Sequence, residues 1–133
     1  MEEVKVIDSS PFIINVIIDV VSPTGVFVDS GCLSYYAVNT SFARKRSLQR
    51  HEISPRQLQL ATEDAPNQTI REVAEFELDI NGWTQRVVGY VILDLSYPII
   101  LRKPWLEGND IIYQAKRRLL TVRATGQVIR ERG

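Results

Sequence analysis

Val26-Phe27-Val28-Asp29-Ser30-Gly31-Cys32 is an apolar, β-branched run that delivers one carboxylate, then one hydroxyl, then a glycine. Val26 and Val28 anchor one face of a strand, and Gly31 permits a turn that a residue with a Cβ resists. The run therefore reads as a strand that ends by presenting Asp29 at a rigid, partly buried corner. Upstream, the β-branched density from Pro11 to Val21 predicts another strand. Ser22-Pro23-Thr24-Gly25 has turn chemistry, so the two strands are expected to form a hairpin whose second arm ends on the acid.

Working outward, Met1 to Ser10 is an entry segment in which Val4, Lys5 and Val6 alternate enough for a short strand. Beyond Cys32 a loop runs into a short strand near Val38, and Asn39 or Thr40 can cap a brief helix through Arg46. His51 to Arg56 reads as loop, punctuated by Pro55. Leu58 to Thr62 reads as a strand, Glu63 to Gln68 as a polar tip, and Thr69-Ile70 as the return. In Glu75 to Ile80, Phe76, Leu78 and Ile80 share one face, and Asn81-Gly82 is the favoured two-residue hairpin turn. Glu75, Glu77 and Asp79 then face solvent. Gly89 interrupts the second arm and marks a bulge or close packing. Tyr97 to Leu101 reads as a buried strand, Lys103 to Glu107 as one helical turn with Pro104 early in it, and Ile111 to Tyr113 and Arg118 to Val122 as two last strands. Beyond Ala124 the composition predicts fraying.

The expected fold class is all-β, with one or two short helices. A chain of 133 residues, 44% of them hydrophobic, fits a single domain with a real core, placed at about residues 11–124. Its 16 basic and 16 acidic residues cancel, so no long-range field favours nucleic acid or an anionic membrane. Arg44, Lys45, Arg46 and Arg50 lack an interleaved aromatic platform and read as a solvated face, so nucleic acid is not the expected partner; an RNA-associated structural domain, served by Arg44–Arg46 and Lys116–Arg118, is a more distant alternative. Cys32 and His51 are the only cysteine and histidine, leaving no intramolecular disulfide and too few ligands for a zinc site. No metal or other cofactor is expected. The first residues lack signal-peptide character, and the run Phe12 to Val21 is too short and too polar to span a bilayer. An intracellular, cytoplasmic location with no membrane partner is the default expectation.

Asp29-Ser30-Gly31 resembles the Asp-Ser/Thr-Gly signature of the aspartic proteases. Roughly 70 residues later, Tyr97-Pro98-Ile99-Ile100-Leu101-Arg102-Lys103-Pro104-Trp105-Leu106 is similar to the segment that closes the protease domain of Ty3/Gypsy-type LTR retrotransposons. The two motifs in this order resemble the retropepsin branch, from about Phe12 to Val122. The resemblance implies a retropepsin-like acid-protease fold: a small closed β-barrel with a flap hairpin, working as a homodimer. It implies an aspartic endopeptidase that acts on the element's own polyprotein, with water as nucleophile and no cofactor. Asp29 would be general base in one chain and general acid in the other, oriented by Ser30 and Gly31. The flap, with Ala61, Thr62, Ala65, Asn67 and Thr69, would contact peptide substrate. Cys32, Leu101 and Arg102 would stand near the site as structural residues, and segments near Met1 and Val122 would help form the dimer interface.

Carboxyl-based hydrolysis needs two carboxyls that share a proton, and this chain has one Asp-Ser-Gly. Either two chains pair about a two-fold axis, or the domain is a catalytically inactive dimerisation or peptide-binding module. Two departures from the family pattern bear on that choice. The segment Glu63 to Thr69 has no glycine, and Pro66 would stiffen the flap tip. Arg102 stands where the family has glycine: pointing inward it would spoil proton sharing, and pointing outward it would only replace glycine at a backbone cost.

Overall fold

Apolar residues alternate through Ile13–Ile18 (β1) and Pro23–Val28 (β2), and the buried set Ile14, Val16, Ile18, Val26 and Val28 forms one face of the hairpin. In the computed structural model, which describes residues 11–29, 35–58 and 68–132, this face lines the inside of a barrel. The other elements are Ala37–Asn39 (β3), Thr40–Lys45 (α1), Gln49–Leu58 (β4), Gln68–Ile80 (β5), Trp83–Ile92 (β6), Ile99–Leu101 (β7), Lys103–Gly108 (α2), Ile111–Gln114 (β8), Leu119–Val122 (β9) and Gln127–Arg130 (β10).

The main sheet runs β1-β2-β7-β3-β6-β5-β4, and a further β1–β5 pairing closes the first six of these strands into a ring. β4 lies outside the ring, paired only to β5 among the described strands. Phe76, Leu78, Trp105 and Leu120 fill the barrel with the hairpin residues. A smaller sheet, β10-β9-β8, packs Leu120, Val122 and Ile129 into the same core. The barrel is the retropepsin-like, mostly-strand fold with few short helices that the two motifs imply.

Several elements follow their local chemistry. Asn39 caps α1, its side chain accepting from the Phe42 N–H at 3.1 Å. Asn81 and Gly82 both take positive φ (52° and 91°) in the β5–β6 turn, as a two-residue hairpin demands. Gly89 marks close packing, because a Cβ there would sit 3.0 Å from Val38 Cγ2 while pairing with Ala74 stays regular. Glu75 is more engaged than its outward position suggests: hydrogen bonds from Arg86 and then His51 hold its carboxyl below the usual carboxylate range.

Three expectations are corrected. The β1–β2 turn falls at Asp19 and Val20 (φ 49° and 61°), ahead of Ser22-Pro23-Thr24-Gly25, which lies mostly within β2. Tertiary bonds decide this, since Asp19 exchanges contacts with Glu77: its N–H donates to the Glu77 carbonyl and its carboxylate accepts from the Glu77 N–H. Pro23 is tolerated as the first residue of its strand. Second, His51 to Arg56 is strand, part of β4, and Pro55 sits where the register shifts between Glu52 and Arg56. An outer strand loses no ladder bond to a proline placed at such an irregularity. Third, the chain beyond Ala124 does not fray. Gly126 turns at φ 73°, β10 pairs with β9, and the Arg132 N–H donates to the Ile13 carbonyl at 2.7 Å. The strand expected at Val4 to Val6 lies outside the described residues.

Ile129 joins the barrel core at 2% exposure. Ile129→Ala is therefore expected to destabilise the domain by about 2–5 kcal/mol, read as a lower urea midpoint. An unchanged midpoint would mean that the last strand adds nothing to the fold.

Candidate active site

β2 and β7 run parallel in the register Val26↔Ile99, Phe27↔Ile100 and Val28↔Leu101. The ladder continues one step past β2, where the Asp29 N–H donates to the Leu101 carbonyl at 2.8 Å. Because side chains alternate along a strand, Val26, Val28, Ile99 and Leu101 enter the barrel core while Phe27 and Ile100 belong to a second apolar cluster. Asp29 and Arg102 extend this second set by two residues each. Parallel pairing thus brings the acid and the cation to one place.

They meet directly. Arg102 Nη1 donates to Asp29 Oδ2 at 2.6 Å. Arg102 is 5% exposed, whereas the Asp29 side chain keeps 28% of its accessible surface. The guanidinium also lies 4.9 Å from the centre of the Tyr35 ring, a favourable cation–π position. Its Nε is buried without a hydrogen-bond partner among the described residues. A cation so desolvated depends on its anion, so Asp29 anchors Arg102 as much as Arg102 holds Asp29.

Arg102 therefore points inward. The backbone cost foreseen for an arginine in place of glycine does not arise, since φ −116° and ψ −176° are extended values open to any residue. Its carbonyl accepts the Trp105 N–H at 2.9 Å and starts α2, with Pro104 in the first turn. Trp105 is buried and its indole N–H donates to Gln85 Oε1 at 2.9 Å. The Pro-Trp-Leu segment thereby fixes the backbone that carries Arg102.

Leu101 is fully buried, and its carbonyl accepts the Asp29 N–H. Thr69 is exposed on β5 opposite Gln57, at the base of the hairpin that Leu58 and Gln68 begin. Ser30, Gly31, Cys32, Ala61, Thr62, Ala65 and Asn67 lie outside the described residues. Residues that motif reading passed over surround the pair. Phe27 and Tyr97 stack at 4.7 Å between ring centres, and Tyr35 and Tyr90 at 5.9 Å. Strand alternation already places Phe27 with Asp29; Tyr35 and Tyr90 become neighbours only through the β3–β6 pairing.

A guanidinium offers donors and no acceptor, so Oδ2 of Asp29 faces Arg102 as an unprotonated oxygen. The carboxylate can accept, orient a water or bind a donor. Among the described residues no group of His, Cys, Asp and Glu side chains is arranged to hold a metal ion. Also among them, no helix is long and apolar enough to cross a membrane.

No protein-family model matches the chain, and no curated protein matches its sequence. Among solved structures it is similar to the retroviral protease-like domain of Ddi1 from Leishmania major, with a TM-score of 0.68 at 18% identity over 95% of this chain and 97% of that one. A weaker match, TM-score 0.46 at 16% identity over 79% of this chain and 93% of the other, is EIAV protease in complex with an inhibitor. The first match shows the retropepsin-like fold.

Asp29→Ala should strand the buried guanidinium and lower stability by about 1–3 kcal/mol in urea unfolding. No loss of stability would show that the pair is incidental to the fold.

Proposed function

We propose that this chain carries an aspartic-endopeptidase site of the retropepsin type, and that Arg102 keeps the site arrested. The observation that carries this reading is the 2.6 Å bond from Arg102 to Asp29. In the reading, two chains pair about a two-fold axis and set Asp29 against Asp29. One carboxylate activates water for attack on a peptide carbonyl, and the other, protonated, hydrogen-bonds the carbonyl oxygen, with Ser30 and Gly31 orienting both. Peptide would lie between this dyad and the flap segment of Ala61 to Thr69.

Two-fold symmetry would bring a second Arg102 to the dyad. Each aspartate would then offer one oxygen to a guanidinium, which favours the ionised form of both carboxyls and opposes the sharing of a proton. The site would retain the shape and apolar walls for peptide while working poorly as an acid–base pair. A peptide-binding, dimeric domain with slow or absent turnover is the form in which the chain would act. The Pro104-Trp105-Leu106 segment supports its derivation from an LTR retrotransposon polyprotein, whose cleavage sites would be the ancestral substrate.

The test is cleavage of an unfolded protein across roughly pH 4 to 7, the range of a proton-sharing dyad. The native chain is expected to cleave little. Arg102→Gly should raise the rate at least about 10-fold, the factor given by a barrier about 1.4 kcal/mol lower, and adding Asp29→Asn should abolish the gain. A native chain as active as Arg102→Gly would show that the cation is no obstacle. A strictly monomeric mass at high micromolar concentration would exclude the two-chain site altogether.

A further inference from the structure

A cleft of about 630 Å³ is lined by Tyr35, Tyr36, Arg56, Leu58, Val88 and Tyr90 among others, and Tyr35 links it to the ion pair through its ring contact with Arg102. We propose that this cleft is a subsite for an acidic side chain, glutamate or aspartate, of a peptide bound in extended form, and that Arg56 is its specificity-determining residue. The inference rests on the peptide-binding reading above and adds the class of sequence bound.

Charge comes first. Arg56 is the only charged residue in the lining among the described residues, so the cleft presents a cation with no carboxylate beside it. One guanidinium nitrogen, Nη1, donates to the Tyr90 hydroxyl at 2.6 Å, which orients the planar group and leaves its other donors for a ligand. Tyr90, having accepted that bond, keeps its own proton to donate. A guanidinium fork matches the two oxygens of a carboxylate, whereas a lysine side chain would meet like charge.

The walls suit the rest of such a residue. Leu58, Val73 and Val88 give apolar contact for methylenes. The Tyr35 ring adds an aromatic wall to the cleft. Burial pushes the Tyr36 phenol up, so it stays a neutral hydroxyl throughout the working range of pH. Position completes the argument: Tyr35 stacks on Arg102, which holds Asp29, while Arg56 and Leu58 stand on β4 at the base of the hairpin leading to segment 59–67. A peptide crossing Asp29 would carry a neighbouring side chain past Tyr35 toward the cleft.

The experiment uses the full chain and two fluorescein-labelled decapeptide libraries, one with glutamate and one with glutamine fixed at a central position, all other positions randomised. Anisotropy titration is expected to show about 10-fold tighter binding of the glutamate library, as for one charge-assisted contact. Arg56→Gln should erase the difference while keeping glutamine-library affinity, and Arg86→Gln, on the same strand-rich face but outside this cleft, should leave it intact. Arg56→Lys should keep part of the preference. Equal affinity for both libraries, or a preference that survives Arg56→Gln, overturns the acidic subsite alone. Failure of both libraries to bind overturns the peptide-binding reading and the subsite with it.

Discussion

Parallel pairing of β2 with β7 is the constraint on which the site depends. Neither strand is adjacent to the other in the chain, and a hairpin cannot join them; they come together because both insert apolar residues into the same barrel. Once Val28 is level with Leu101, the Asp29 N–H is committed to the Leu101 carbonyl and residue 102 has to face the acid. The chemistry of the site is thus decided by what stands at position 102. Glycine would leave the carboxylate open, whereas arginine closes one of its oxygens.

The ion pair is not an exposed surface contact of small consequence. Arg102 is nearly solvent-free, stacked on Tyr35 and carried by a backbone that Trp105 and α2 hold in place. In such surroundings the cost of desolvating the guanidinium is offset only by its anion and the aromatic ring. In the proposed two-chain site, the contact that holds the fold together at this point would also oppose proton sharing.

Much of this was legible in the sequence where local chemistry governs. The strand ending on Asp29, the Asn81-Gly82 turn, the Asn39 cap and the Pro104 helix start all follow from side-chain periodicity or backbone preference. The errors came where distant partners override local signals. Pro23 and Gly25 look like a turn until Asp19 is seen bound to Glu77. Pro55 looks like a loop until β5 supplies a partner on either side of the irregularity. The tail looks too polar to order until Ile129 finds the core. At the site, Asp29 was readable from its motif, but the direction of Arg102 required the β2–β7 register, and the tyrosine-lined cleft required the β3–β6 register.

A double-mutant cycle between Asp29 and Arg102 tests the central claim most directly, using Asp29→Asn, Arg102→Gln and the pair of substitutions, with unfolding free energy as the readout. A coupling energy of about 1–3 kcal/mol is expected for an interaction of this kind. Additivity within about 0.5 kcal/mol would contradict the account, because two residues that do not feel each other in the folded protein cannot arrest the site.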